Sequence, residues 1–223
     1  LGASLRMFLV IYVLQIFVFD AWNVPFWINV AIFIFLIILY TMKGGIRTII
    51  WTDTLQTTFM LAAVFISIWL ISDSLHLSFS QLITKVSESN YSRLLVTDWH
   101  DKRFFLKQFL SGIFIAIVMT GLDQEMMQKN LSCRNLRDAQ KNMFSFSVVL
   151  VFVNLMFLFL GAVLLIYSKA SGIEMPLRSD DLFPILSLRY LGPVAGLVFM
   201  IGLISAAYPS ADGALTSLTT SFS

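Results

Sequence analysis

The sequence predicts an all-α, polytopic membrane protein with about six transmembrane helices. Of its 223 residues, 58% are hydrophobic and 13% are charged, and the mean hydropathy is +0.83. That balance is typical of chains that cross a bilayer repeatedly. The apolar residues also gather into segments long enough for membrane helices. These segments are Leu5–Phe19, Phe26–Met42, Ile46–Ser72, Phe105–Met127, Met143–Tyr167 and Tyr190–Phe222.

The connections between these segments carry turn and helix signals. Asp20–Pro25 is predicted to be a tight turn, and Lys43–Gly45 is predicted to break the helix between the second and third segments. In the polar stretch after Ser72, apolar residues keep helical spacing from Phe79 to Val86, which predicts a helix lying flat on the membrane. Another short helix is predicted to start at Asp180–Pro184.

Lysine and arginine concentrate in the short connections, which predicts the orientation of the chain. The residues concerned are Lys43, Arg47, Lys129, Arg134, Arg137 and Lys141. Loops rich in basic residues stay in the cytoplasm. The connection between the second and third segments and the connection between the fourth and fifth segments are therefore predicted to face the cytoplasm. The two long connections, 73–104 and 168–189, hold most of the acids and are predicted to face outside.

The sequence gives little support to an enzyme. Cys133 is the one cysteine, so neither an internal disulfide framework nor a multi-cysteine metal site is available. No apolar segment pairs a serine or cysteine with a histidine, and no glycine-rich loop of the phosphate-binding kind is present. The net charge of +2 is too small to indicate nucleic acid as a partner.

The last apolar segment carries an oxygen-rich face. At 3.6 residues per turn, Ser205, Pro209, Asp212, Thr216 and Thr219 fall on one side of a helix. Proline lacks an N–H, so the Ser205 carbonyl loses its helical partner and becomes available to another donor or a cation. Hard cations prefer such oxygen ligands. The alternative is a kinked packing helix whose hydroxyls bond back to their own backbone.

The third segment holds an acid where burial is expensive. Asp53, Gln56 and Thr57 share a helix face, and Asp53 lies roughly 15 Å along a helix that begins at Lys43. A charged acid at that depth needs a partner. The alternative is that Asp53 pairs with Arg47 or caps a helix near the membrane surface.

The fourth segment ends with a glycine followed by polar residues. Gly121 before Asp123 and Gln124 predicts a bend or break in the helix, and broken helices form binding sites near the midplane of many transporters. The alternative is that the helix already leaves the membrane here. Asp123 and Glu125 would then be surface groups beside the basic connection.

Three ordered motifs resemble a known family. Gly44–Gln56 is similar to the signature segment of the sodium:solute symporter family, relatives of the sodium/glucose, sodium/proline and sodium/sialic-acid carriers. Thr120–Gln124 followed by Gln128–Ser132 resembles the sixth core helix of that family and the loop after it. The last segment resembles the eighth core helix. The resemblance covers nearly the whole chain in the right order.

The resemblance implies a partial leucine-transporter-like (LeuT-like) bundle of five plus five helices in inverted repeats. The chain is expected to be a fragment that covers core helices three to eight. Residues 1–72 would hold the last three core helices of the first repeat, and residues 73–104 would form an extracellular loop. Residues 105–223 would hold the first three core helices of the second repeat.

The resemblance also implies a sodium site. The eighth-helix ligands of the family, a carbonyl and two hydroxyl residues, map onto Ala206, Pro209 and Ser210, and Pro209 departs from the pattern because it has no hydroxyl. Asp53 matches an acid that some members use for a second sodium ion, and Asp212 stands where those members have a hydroxyl. If both acids are ionised and close, they need a cation between them, or one must take up a proton. Sodium and proton coupling therefore both stay open.

The resemblance implies a sodium-coupled symporter of a small organic solute in the cell membrane. Thr120, Asp123 and Gln124 would lie near the solute, whereas the aromatic and lysine contacts of sugar carriers are replaced by Thr120 and Leu150. One alternative is a membrane sensor that keeps the symporter fold and signals to a cytoplasmic domain. Another is a structural membrane subunit, in which Asp53 and Asp212 share no cavity.

Overall fold

The computed structural model describes residues 2–92, 95–122, 127 and 130–206, and every regular element in these ranges is helical. At positions 2, 3, 6, 40–52, 90, 119 and 120 the description covers the backbone alone. The chain divides into two compact units. The first comprises Leu1–Leu82 with Val163–Ser223, and the second comprises Ile83–Ala162.

The first unit opens with a bent helix pair. Helix α1 spans Gly2–Leu14 and continues as a π-helical segment, Gln15–Phe19, and a 3-10 turn, Asp20–Trp22. Asn23 then adopts a left-handed conformation with φ of 52°, which ends the turn before the next helix starts. The helices on either side of this break meet at 118°. The tight turn predicted between Asp20 and Pro25 is confirmed.

Helix α2 is longer than the sequence predicts. It runs without interruption over 49 residues, Phe26–Ser74, so the break predicted at Lys43–Gly45 is wrong. A glycine in a helix interior costs only about 1 kcal/mol relative to alanine. Breaking the helix would leave several backbone N–H and C=O groups without their helical partners. Two neighbouring glycines are therefore tolerated.

The second unit is built mainly on two apolar helices. Helix α3, Phe79–Glu88, leads into it with a fully buried Leu82, and a 3-10 turn, Asn90–Ser92, follows. Helix α4 covers Phe105–Gly121 and helix α5 covers Leu136–Ala170. The helix predicted from Phe79 to Val86 is confirmed as a helix. Helix α4 ends at Gly121, where the sequence predicts a bend or break.

The chain returns to the first unit within α5, at Val163, and a short helical connection follows. Ser179–Asp181 forms a 3-10 turn, Leu182–Ile185 forms helix α6, and Leu186–Tyr190 forms a second π-helical segment. The short helix predicted at Asp180–Pro184 is confirmed. Helix α7 covers Pro193–Ala206 and is the last part of the chain that the structure describes.

The core of the first unit joins the first and last helices that the structure describes. Val10, Ile11 and Leu14 of α1 are buried together with Phe33 of α2. Three residues of α7 pack against this cluster, namely Met200, Leu203 and Ile204. In the middle of α7 the Phe199 ring meets the Phe183 ring of α6 edge-on, with centroids 4.9 Å apart. Helix α7 is thus packed against the first helix pair through its second half, and against α6 through Phe199.

Within the described residues, fewer than six helices are long and apolar enough to span a membrane. Asp53–Ser74 and Leu136–Ala170 do so individually, and the bent pair Met7–Trp22 with Phe26–Leu39 is a third candidate if it counts as one span. Phe105–Val118 and Pro193–Ala206 are apolar but shorter. The predicted fourth and sixth spans extend into residues 123–126 and 207–222, outside the described part.

Candidate cation site

Asp53 lies within helix α2 at the start of its second apolar stretch. Its side chain is half-buried, and the carboxylate oxygen Oδ1 is inaccessible to solvent. The hydroxyl of Thr57 donates a hydrogen bond to the Asp53 carbonyl at 2.8 Å, and Thr58 bonds Thr54 in the same way at 2.8 Å. These threonine protons are therefore used within their own helix, as expected for packing residues.

Helices α2 and α7 touch at the level of the backbone. A Cβ atom on Gly202 would lie 3.1 Å from the Cβ of Ala63, 3.7 Å from the carbonyl oxygen of Phe59 and 3.8 Å from the Cα of Met60. Both Gly202 and Ala63 are buried. Small residues allow this kind of close helix approach in membrane proteins. The third and sixth predicted segments therefore meet in the first unit.

The predicted cation ligands are only partly within the described residues. Ala206 is half-buried, one turn beyond Gly202 on α7. Asp53 precedes Phe59 by six residues, about 9 Å along α2. Ser210 and Asp212, with Pro209 between Ala206 and Ser210, fall outside the described residues. The structure thus brings the helices of Asp53 and Ala206 together and leaves the rest of the set a prediction.

The predicted solute residues lie at and beyond the end of helix α4. Thr120 belongs to the last turn of α4, and the backbone N–H of Leu122 closes that turn on the Val118 carbonyl at 2.9 Å. Asp123 and Gln124 fall outside the described residues, so their role stays a prediction. Within the described part of the chain, no three His, Cys, Asp or Glu side chains cluster as metal ligands.

A buried amide network at the bend of the first helix pair was not predicted from the sequence. Gln15 Nε2 donates to Asp20 Oδ1 at 2.6 Å and to the Val24 carbonyl at 2.7 Å. Asn29 Nδ2 donates to Gln15 Oε1 at 3.3 Å and to the Ile11 carbonyl at 3.4 Å. Asn29 is 0% exposed and Gln15 is 9% exposed. The network ties the π-helical segment to α2.

This network follows from local backbone chemistry. A π-helical turn shifts the hydrogen-bond pattern of a helix and changes which carbonyls have partners. Asn29 supplies a side-chain donor to the Ile11 carbonyl just before the shift. The sequence did contain a signal, because Gln15 and Asn29 are amides inside apolar segments. Such residues in membrane helices usually face protein and bond across helices.

Two arginines in the connection before α7 contact α1 and the π-helical segment after it. The Arg178 guanidinium lies 5.5 Å from the centre of the Tyr12 ring, and the Arg189 guanidinium lies 5.6 Å from the centre of the Phe17 ring. Both contacts have the geometry of a cation–π interaction. The connection before α7 is thus held against the first helix pair at two points.

The loop before helix α4 is folded around charged and aromatic side chains. Lys107 Nζ donates to the Trp99 carbonyl at 2.5 Å and lies 5.2 Å from the centre of the Trp99 ring. The Arg103 guanidinium pairs with the Asp101 carboxylate at 3.0 Å. Hydrogen bonds from the side chain and then the backbone of Arg103 hold the pKa of Asp101 below its usual value.

Comparison with known proteins identifies the family. The family model of the sodium:solute symporters matches residues 6–222. The chain belongs to the sodium:solute symporter family. Members of this family are membrane transporters and not enzymes, and membership implies a LeuT-like fold. The recognition made from the three sequence motifs is confirmed.

One curated relative of this symporter-family chain comes from an insect. A putative sodium-dependent multivitamin transporter of Drosophila melanogaster is 24% identical over 191 residues, which is 80% of this chain and 31% of the relative. The chain therefore spans about a third of the length of that relative. No solved structure gives a significant match.

Proposed function

We propose that this chain is part of a sodium-coupled symporter that moves a small organic solute across the membrane by alternating access. Membership of the sodium:solute symporter family over residues 6–222 supports sodium-coupled transport. The close contact between Gly202 and the Ala63 methyl group is the observation that supports the cation site, because it joins the two helices from which the ligands are proposed to come.

The register of that contact favours a meeting of Asp53 with the end of the last segment. The distribution of basic residues predicts that the two helices cross the membrane in opposite directions. Gly202 faces the turn Phe59–Ala63. Ser210 is eight residues after Gly202, which is about 12 Å if helix α7 continues. On α2, Asp53 precedes the middle of the turn Phe59–Ala63 by about the same distance. We propose that Asp53 and Ser210 lie at the same depth.

The proposed cation ligands are oxygens of four residues. They are the Asp53 and Asp212 carboxylates, the Ala206 carbonyl and the Ser210 hydroxyl. Oxygen ligands of this kind suit a hard cation. Sodium bound between the two helices would stabilise one conformation and raise the affinity for solute, and solute would raise the affinity for sodium by the same factor.

The solute is proposed to bind near Thr120, Asp123 and Gln124, where helix α4 ends. The end of α4 at Gly121 supports this proposal, since helix ends expose backbone groups that can bind a polar ligand. Vitamins head the panel of candidate solutes because of the name of the Drosophila relative. Sugars, amino acids and carboxylates complete it.

The test is sodium-dependent uptake by the intact protein that contains this chain. Asp53→Asn keeps the shape of the side chain but removes its charge, so sodium dependence should weaken while the protein still reaches the cell surface. Asp73→Asn is the matched control, because Asp73 is an exposed acid at the end of the same helix. If both variants keep the sodium dependence of the parent protein, Asp53 is not a cation ligand.

A further inference from the structure

The sequence contains two triplets of the form Asn-X-Ser, one in each of two connections between apolar helices. They are Asn90-Tyr91-Ser92 and Asn130-Leu131-Ser132. Asparagine in such a triplet is the acceptor for N-linked glycans when the middle residue is not proline. A triplet alone is weak evidence, so the place of each in the chain decides between them.

The two triplets are predicted to face opposite sides of the membrane. The Asn130 triplet belongs to the short basic connection between α4 and α5, which the lysine and arginine distribution assigns to the cytoplasm. The Asn90 triplet belongs to the long connection between α2 and α4, on the opposite side by the parity of the helices. Glycan transfer takes place on the side that becomes extracellular.

The two triplets also lie in different local structures. Asn90–Ser92 forms a 3-10 turn after α3, and its neighbours Glu88 and Tyr91 are exposed. The stretches 75–89 and 93–104 separate this turn from the apolar helices α2 and α4. In contrast, Asn130 is half-buried, and its Nδ2 donates to the sulfur of Met143 at 3.1 Å. In the first triplet the Ser92 hydroxyl donates to the carbonyls of Ser87 and Ser89 at 2.7 Å and 3.0 Å. Both triplets therefore hold a side-chain contact in the folded chain, and the side of the membrane distinguishes them.

We propose that Asn90 is an N-glycosylation site and that Asn130 is not. In the reaction Asn90 Nδ2 attacks the anomeric carbon of a lipid-pyrophosphate-linked oligosaccharide. A carbon–nitrogen bond forms, and the bond from that carbon to the pyrophosphate oxygen breaks. The lipid pyrophosphate leaves with the electron pair, and a base of the transferring enzyme takes the amide proton. The proposal depends on the orientation of the chain and not on sodium or solute binding.

The experiment compares gel mobility of the intact protein made in animal cells, with and without peptide N-glycosidase treatment. Before treatment, the Asn90→Gln and Ser92→Ala proteins should each migrate faster than the parent protein by the mass of one glycan. After treatment, all three proteins should migrate at the same position. Ser92→Thr should keep the glycan, because threonine also completes the triplet. Asn130→Gln should match the parent protein before and after treatment. Surface biotinylation shows which variants fold and leave the endoplasmic reticulum.

Three results would overturn the proposal. The first is an Asn90→Gln protein that migrates with the parent before treatment. The second is an Asn130→Gln protein that loses a glycan, because this would place the basic connection outside the cell. The third is a Ser92→Thr protein that reaches the cell surface without the glycan. The faster migration of Ser92→Ala would then not be due to loss of a glycan from this triplet.

Discussion

The contact between Gly202 and Ala63 predicts a sharp size limit on helix α7. In Gly202→Val the Cβ would lie 3.1 Å from the Ala63 Cβ, and the two γ-methyl groups would need further space beside Phe59 and Met60. Overpacking of this kind costs about 1–3 kcal/mol. Valine has a higher helix propensity than glycine, which offsets a few tenths of a kcal/mol. The net effect should be a loss of stability.

The assay for this variant is the apparent midpoint of thermal unfolding of the intact protein in detergent, followed by fluorescence-detected size exclusion. Gly161→Val is the matched control, because Gly161 lies in the apolar helix α5 and a Cβ there meets nothing within 4 Å. Gly202→Val should have the lower midpoint, and Ala63→Gly in the same protein should restore part of the difference. Equal midpoints for the two valine variants would refute the close contact.

Two further predictions concern polar contacts. Gln15→Leu and Asn29→Leu should each destabilise the protein by about 1–3 kcal/mol, because each leaves a buried amide without its partner. In thermal unfolding, the double variant should lose less stability than the sum of the two single variants. An additive loss would argue against the network. The pKa of Asp101 is lowered in the folded loop, so the loop stability that its carboxylate provides is present above pH 3.8 and is lost as the pH falls through the lowered pKa. The measurement is hydrogen exchange at the Arg103 amide, which donates to Asp101 Oδ1 at 2.8 Å. Its protection in the parent protein should fall to that in Asp101→Ala at low pH. A constant difference in protection between the two proteins at all pH values would contradict this.

Much of the fold could be predicted because it depends on local patterns. The turn after Asp20 follows from polar and proline signals, and the end of α4 follows from Gly121. Each of these features is set by a few adjacent residues, so the sequence contains the information directly.

The features that the sequence did not predict depend on competing energies or on residues that are distant along the chain. The continuity of α2 through Lys43–Gly45 is decided by the backbone hydrogen bonds that a break would lose, and glycine signals alone overstate that break. The network of Gln15 and Asn29 joins residues 14 apart across a bend, and its geometry depends on a π-helical turn. The cation site needs a register between helices, which no local pattern in one helix supplies.

The tight seam at Gly202 also bears on how a bound ion would be released. At this point the two helices are separated by little more than the Ala63 methyl group, so a shift that replaces Gly202 with a larger side chain would overpack the contact. In the proposed transport cycle, we therefore expect α2 and α7 to move together. An ion held by this pair would escape when some other helix swings away from it and opens a path to water.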